Sequence, residues 1–325
     1  MGAPLFPTGG DAARAPDILC IGETMAVVTA DGDSSLVDGR EFTIGCGGAE
    51  SNVAGHLAAD GLAVAWLGRL GADPLGDRIV AAFDGNGIDS RWVVRDPLSQ
   101  TGVYFKDRLP GAESEVYYYR SSSAASRMSP ADLAAWPLHA GCWVHVSGVT
   151  AALSADCDAV LEQVLDGAAQ HGYTVSFDVN YRPKLWDTAW AAPRLLELAR
   201  RADTVFVGRD EAELLWGTAR ADEIASLFPD ATRVVVKDGA VEAVEFGSEG
   251  GIDSGIRSVH RVPAREVSVV EAVGAGDAFA AGYLSALFRG EEPRARLERG
   301  HELAAWVLGS RADFRPLERQ GGGAR

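Results

Sequence analysis

Short apolar runs rich in Val, Ile and Phe alternate along this chain with longer stretches in which apolar positions recur every three or four residues. The short runs predict strands over 17–23 (DILCIGE), 64–70 (VAWLGRL), 142–148 (CWVHVSG), 173–180 (YTVSFDVN), 203–208 (DTVFVG) and 233–239 (RVVVKDG). The longer ones predict helices over 49–60, 75–86, 154–171, 187–202, 210–217, 276–289 and 291–309. Such alternation makes βαβ units, hence an α/β fold with a mainly parallel sheet covered by helices on both faces. Ligands in such sheets gather at the carboxyl ends of the strands.

Residues 101–120 (TGVYFKDRLPGAESEVYYYR) break the pattern. They alternate apolar and polar across a Gly-containing turn, as a β-hairpin does. Residues 41–48 (EFTIGCGG) add a short strand that ends in glycines. Together the two insertions predict a small β-sheet lid, drawn from about 38–48 and 98–121, over a site in one domain spanning 17–315. Residues 1–16 and 318–325 read as flexible tails. The open edges of such a lid would be covered by pairing lids in a homodimer or higher homo-oligomer.

The composition fits one large soluble domain: 325 residues, 47% hydrophobic and 23% charged. No apolar run approaches a membrane span and no secretory signal opens the chain, so the expected location is cytoplasmic. A net charge of −16 repels nucleic acid and anionic membranes, which sets both aside as partners. It leaves room for a small anionic substrate held by local arginines. Cys20, Cys46, Cys142 and Cys157 have no C-x-x-C spacing and read as reduced thiols. The six histidines share no metal-ligand spacing and read as structural.

Two glycine-rich loops carry the candidate chemistry. GCGGAES (45–51) is not a dinucleotide fingerprint, because Glu50 stands where the third glycine belongs, and no Gly-Lys pair exists to make a P-loop. The second loop lies in VVEAVGAGDAFAAGYLSAL (269–287). REVSVV (265–270) predicts a strand leading in, and DAFAAGYLSAL predicts a helix leading out. Gly274 and Gly276 let the chain turn tightly and present bare N–H groups at a helix N-terminus, which binds phosphate or a developing anion. Asp277 in the first turn either caps the helix or acts as a general base. A base beside an anion hole suits phosphoryl transfer.

GAGDAFAAGYLSAL resembles the second motif of the ribokinase-like (PfkB) carbohydrate kinases, and GCGGAESNVAGHLAADGLAVAWLGRLGADPLGDRI (45–79) resembles their first. The resemblance covers roughly residues 17–315. It implies a ribokinase-like three-layer αβα sandwich with a β lid over a sugar, and ATP and Mg2+ as cofactors. It implies that Asp277 deprotonates the sugar hydroxyl and that Gly274, Ala275 and Gly276 form the anion hole. Asn180, Lys237 and Gly239 would lie beside ATP together with Gly274 and Gly276. Glu211 in GRDEAELL matches the glutamate of an N-x-x-E motif that organises magnesium through its waters. The chain departs from the family twice: Glu271-Ala272-Val273 replaces the usual D-T-x before GAGD, and Gly208 replaces the asparagine of N-x-x-E.

Strand alternation puts Tyr118 and Arg120 on one face of the hairpin, and Arg182 falls just past a strand's carboxyl end. Alone, the tyrosines are cross-strand packing and the arginines surface charges, and Arg182 could equally face nucleotide phosphates. Together, two guanidiniums and several tyrosines suit an acid sugar. These segments, with GETMAVV (22–28), resemble those of kinases of 2-keto-3-deoxygluconate (KDG, 2-dehydro-3-deoxy-D-gluconate). That resemblance implies sugar contacts from Gly47, Gly48, Asn52, Tyr104 and Tyr118, with Arg120 and Arg182 on the carboxylate, and phosphorylation to the 6-phosphate. The competing readings are a kinase of 2-keto-3-deoxygalactonate or fructose, and a catalytically weak sugar- or nucleotide-binding protein, which the altered Glu271-Ala272-Val273 motivates.

Overall fold

The computed structural model describes residues 15–32, 34–107, 114–248, 257–310 and 314. Most of both expected tails and the turn of the expected hairpin lie outside them. In chain order the strands are β1 (Ile18–Ile21), β2 (Met25–Ala30), β3 (Phe42–Gly47), β4 (Val64–Leu67), β5 (Arg69–Gly71), β6 (Val94–Asp96), β7 (Val103–Asp107), β8 (Glu115–Tyr119), β9 (Trp143–Ser147), β10 (Thr174–Asp178), β11 (Thr204–Gly208), β12 (Arg233–Asp238), β13 (Glu242–Ser248) and β14 (Arg257–Pro263). The helices are α1 (Ala49–Ala59), α2 (Pro74–Gly85), α3 (Gly148–Ala151), α4 (Ala155–His171), α5 (Thr188–Ala199), α6 (Arg209–Trp216), α7 (Ala221–Ser226), α8 (Ala275–Phe288) and α9 (Pro293–Leu308).

Eight strands form the large sheet in the order β14-β13-β12-β11-β10-β9-β1-β4. The six from β12 to β4 are parallel, while β13 and β14 add an antiparallel edge. Strand β1 is buried at every position, as a strand covered on both faces must be. Its side chains part by alternation: Leu19 and Ile21 join the core under α4 to α7, and Ile18 and Cys20 join the core under α1, α2, α8 and α9. These are the three layers that the sequence predicts.

Helix α8 is buried on every side from Asp277 to Phe288. Phe288 and Leu284 are fully covered, and each such side chain contributes about 1.5–3 kcal/mol. The body of α8, from Asp277 onward, is thereby fixed in place by packing.

A second sheet runs β3-β2-β7-β8. Strands β7 and β8 are the predicted hairpin, antiparallel with Tyr104 opposite Tyr118. Strand β2 pairs parallel to β7 and antiparallel to β3, placing it between the two insertions.

Three sequence readings need correction. The run 64–70 is two strands, because the chain leaves the large sheet at Gly68, whose carbonyl accepts the Val94 N–H, and β5 pairs with β6 instead. REVSVV is not a strand: β14 ends at Pro263 on the sheet edge, and the N–H groups of Val270 and Glu271 bond the Leu308 carbonyl at the end of α9. With no neighbouring strand, Val269 and Val270 stay exposed. The strand GETMAVV hides, β2, also went unassigned, as did β6, β13, β14, α3 and α7.

Chain order in the large sheet reverses at β1. From it the chain passes through α1 to β4 on one side, while β9 and its successors extend the other. The carboxyl ends of β1 and β9 therefore flank a crevice, where ligands of open α/β sheets bind.

Candidate active site

A cavity of about 1000 Å3 opens at this crevice, between the large sheet and the small one. From the motif loops it is lined by Gly47, Gly48, Asn52, Gly274, Gly276 and Asp277. From the hairpin come Tyr104, Tyr118 and Arg120, and from the strand ends come Asn180, Arg182, Glu211, Lys237 and Gly239. Of the residues singled out in the sequence, Ala275 does not line it; its N–H points back to the Ala272 carbonyl at 3.4 Å.

Gly274 precedes α8 with φ +84°, a left-handed conformation that glycine adopts without strain. The first helical bond runs from the Ala278 N–H to the Gly274 carbonyl at 2.9 Å. No side chain caps the helix. The Gly276 and Asp277 N–H groups therefore precede the first intrahelical donor and belong to the partial positive end of the dipole.

Asp277 is 6% exposed. Its Oδ2 accepts from Asn52 Nδ2 at 2.9 Å, and its Oδ1 from Asn180 Nδ2 at 3.3 Å. Asn180 adopts φ +38°, a region asparagine tolerates better than most residues. Two neutral amides hold the carboxylate without taking its charge. Burial pushes its pKa up to about 6, against the Asn52 hydrogen bond and the nearby Arg182 charge, which lower it. A base poised there is ionised at neutral pH yet still able to accept a proton.

Lys237 stands beside the helix mouth, so that a Cβ on Gly276 would lie 3.7 Å from its Nζ. It bonds Asp178 Oδ2 at 2.8 Å. Burial favours its neutral form, but Asp178 and Glu211 outweigh that and hold its pKa above the ordinary value. Glu211 accepts the Gly208 N–H at 2.8 Å and the Tyr181 N–H at 3.0 Å. The backbone at Gly208 thus reaches this carboxylate without an asparagine side chain.

The hairpin side is organised by an ion pair. Arg120 meets Glu23 at 2.6 Å, with exposures of 9% and 2%, and stacks over the Tyr118 ring at 5.3 Å. Ser123 also bonds Glu23. Arg182 is exposed on the cavity wall and makes no side-chain hydrogen bond or ion pair among the described residues.

Sequence reasoning missed Glu23 and Asp178, both buried and both on the cavity wall. A carboxylate at the carboxyl end of an apolar strand (CIGE, SFD) was the available signal. It also noted Glu50 only as a departure from pattern. Glu50 is fully buried, with Ser147 and Thr150 donating to Oε1 at 2.6 and 2.9 Å.

The model of the pfkB family carbohydrate kinases matches residues 15–319. A 2-dehydro-3-deoxygluconokinase of Bacillus subtilis (strain 168) is 33% identical over 301 residues, covering 92% of this chain and 91% of its own. A 2-dehydro-3-deoxygalactonokinase of Haloferax volcanii is 29% identical over 296 residues, covering 89% and 90%. Among solved structures, a PfkB protein from Polaromonas sp. JS666 is similar with a TM-score of 0.80 and 35% identity, covering 91% of this chain and 96% of that one.

Proposed function

The chain belongs to the pfkB family of carbohydrate kinases, and on that premise we propose that it phosphorylates 2-dehydro-3-deoxy-D-gluconate at O6 with ATP. The observation that carries the chemistry is the buried Asp277 carboxylate, suspended between two amides at the open end of α8. Asp277 takes the proton of the sugar hydroxyl as the hydroxyl oxygen attacks the γ-phosphorus, and the bond from that phosphorus to the β,γ-bridging oxygen breaks to release ADP. The Gly276 and Asp277 N–H groups and Lys237 receive the charge on the transferring phosphoryl group. Asn52 and Asn180 keep the Asp277 oxygens aimed at the hydroxyl.

The acid end of the substrate is assigned to the arginines. Arg182 makes no side-chain hydrogen bond or ion pair among the described residues, so its guanidinium can take a carboxylate. Arg120 already holds Glu23, so an incoming carboxylate shares it while Tyr104 and Tyr118 offer hydroxyls. The names of the relatives in Bacillus subtilis and Haloferax volcanii support an acid-sugar substrate and leave the two epimers as the nearest alternatives.

Magnesium fits the donors present. The Oδ1 of Asp178 is buried with no hydrogen-bond partner among the described residues, and Glu211 stands beside it on two backbone N–H groups. The described residues contain no group of three metal-capable side chains, and magnesium usually needs only one or two carboxylates with the substrate phosphates. When bound with the nucleotide it neutralises phosphate charge.

The test is coupled ADP release with ATP, magnesium and a panel of KDG, its galactonate epimer, fructose, ribose and gluconate. Turnover on KDG well above the neutral sugars is expected, and Arg182→Ala should raise KM for the acid sugars alone. Preference for a neutral sugar would overturn the substrate assignment.

A further inference from the structure

Lys106 belongs to the second sheet and is 1% exposed, one of the largest fully buried side chains of the molecule. It lies on β7 opposite Val116 of β8. Its Nζ is 3.6 Å from Oε2 of Glu271, itself 8% exposed. The Ser114 hydroxyl, at the start of β8, donates to the same oxygen at 2.6 Å. The other oxygen of Glu271 accepts the N–H of Ala272 at 3.2 Å, and the Val273 N–H also bonds this carboxylate. One carboxylate thus holds both strands of the hairpin and two backbone groups of the loop that opens α8. Ser114, Ala272, Val273 and Gly274 line the cavity, so the junction sits behind its wall.

An ion pair is a costly way to join two surfaces. Apolar side chains of similar volume would stabilise the contact as well or better, whereas removing one partner leaves a buried charge. What the pair adds is geometry: the hairpin cannot move without pulling on the backbone that carries Gly274 and Gly276.

We infer that Glu271 is a positioning residue, which with Lys106 and Ser114 links the seating of sugar under the hairpin to the placing of the α8 N–H groups for phosphoryl transfer. The inference rests on the kinase reading but not on which sugar is used. Sugar and nucleotide binding must then reinforce each other, by the same factor in either direction.

The experiment takes whichever sugar the wild-type enzyme turns over in the panel. Affinity for a non-hydrolysable ATP analogue with magnesium is measured by calorimetry with and without that sugar. It is repeated in Glu271→Gln, Lys106→Met and the double variant. The wild-type enzyme should bind the analogue at least about 5-fold tighter with sugar present. The factor should fall to near one in all three variants, with kcat reduced. The double variant, which removes both charges of the pair together, serves where the single ones fold poorly. A double variant that melts like wild type yet has lost the coupling supports the inference. A double variant with wild-type coupling overturns it, as does a wild-type factor of one. A wrong substrate assignment would appear earlier, in the panel, and leaves this test intact.

Discussion

Replacing Glu50 by glutamine should flatten the pH dependence of stability. Glu50 is fully covered, and burial pushes its carboxyl up to about 7, against the hydroxyls of Ser147 and Thr150 that lower it. Among the described residues its Oε2 has no hydrogen-bond partner. Below about pH 7 the folded protein holds a proton there, while the unfolded chain releases it near pH 4.5. The folded state binds the extra proton, so this group's contribution is full below 4.5 and is lost as pH rises through about 7. At 1.36 kcal/mol per pKa unit, the loss between pH 5 and pH 8 is about 2.5 kcal/mol. Glutamine does not titrate. Its amide at the Oε2 position lacks a partner and costs roughly 1–3 kcal/mol, but that cost is the same at both pH values and cancels in the comparison. The assay is chemical denaturation of wild type and Glu50→Gln at pH 5 and pH 8. The variant should lose about 2.5 kcal/mol less between them, equivalent to about 4 °C in Tm for a chain this long. Equal losses in the two proteins would show that Glu50 is ionised at pH 5 and that its burial does not govern its charge.

Asp277→Asn should fold and bind ligands but lower kcat by roughly 10²–10⁴-fold; single-turnover ADP release checks it, and near wild-type kcat would remove Asp277 from the role of base. The pH profile of kcat/KM should fall tenfold per unit below about pH 6, since the base must be ionised and burial sets its pKa near 6; a limb near pH 4 would contradict this. Gly48→Ala should raise KM for the sugar and destabilise by about 1–3 kcal/mol, because its Cβ would fall 2.0 Å from the Glu23 carbonyl oxygen, a backbone atom that cannot swing aside; calorimetry and kinetics on one preparation test both.

The parts of the site visible in the sequence were those encoded locally. The loop before α8 announced itself through two glycines, a carboxylate and a run of small apolar residues that pack on every side. Strands β9 to β12 were legible because burial on both faces fills them with Val, Phe and Trp, with only a few polar positions such as His145 and Ser176 between. What escaped depends on partners distant in the chain. In β7, alternation marks two faces, but each is mixed, and nothing local says that the one with Tyr104 and Lys106 turns inward. In β13, Glu245 reads as a break, yet it is 1% exposed because Arg296 of α9 bonds it at 2.5 and 3.1 Å. Val-Ser-Val-Val at 267–270 has a strand's composition and no strand beside it. Arg120 looked like a free cation until Glu23, from a different strand end, was found against it.

Asp277 is held by a helix packed on the large sheet and Arg182 follows a strand of that sheet, while Tyr104, Tyr118 and Arg120 come from the hairpin of the small one. On the proposed function, part of the sugar recognition is thus written on a piece of chain apart from the chemistry, and a hairpin graft is the natural route to a new sugar preference. Such a graft is not self-contained. A hairpin with an apolar residue at position 106 would take away the charge beside Glu271, and a lysine set opposite a neutral residue would lose its carboxylate there. Two positions far apart in sequence must therefore be inherited as a unit, so that any redesign of the pocket begins with a residue outside it.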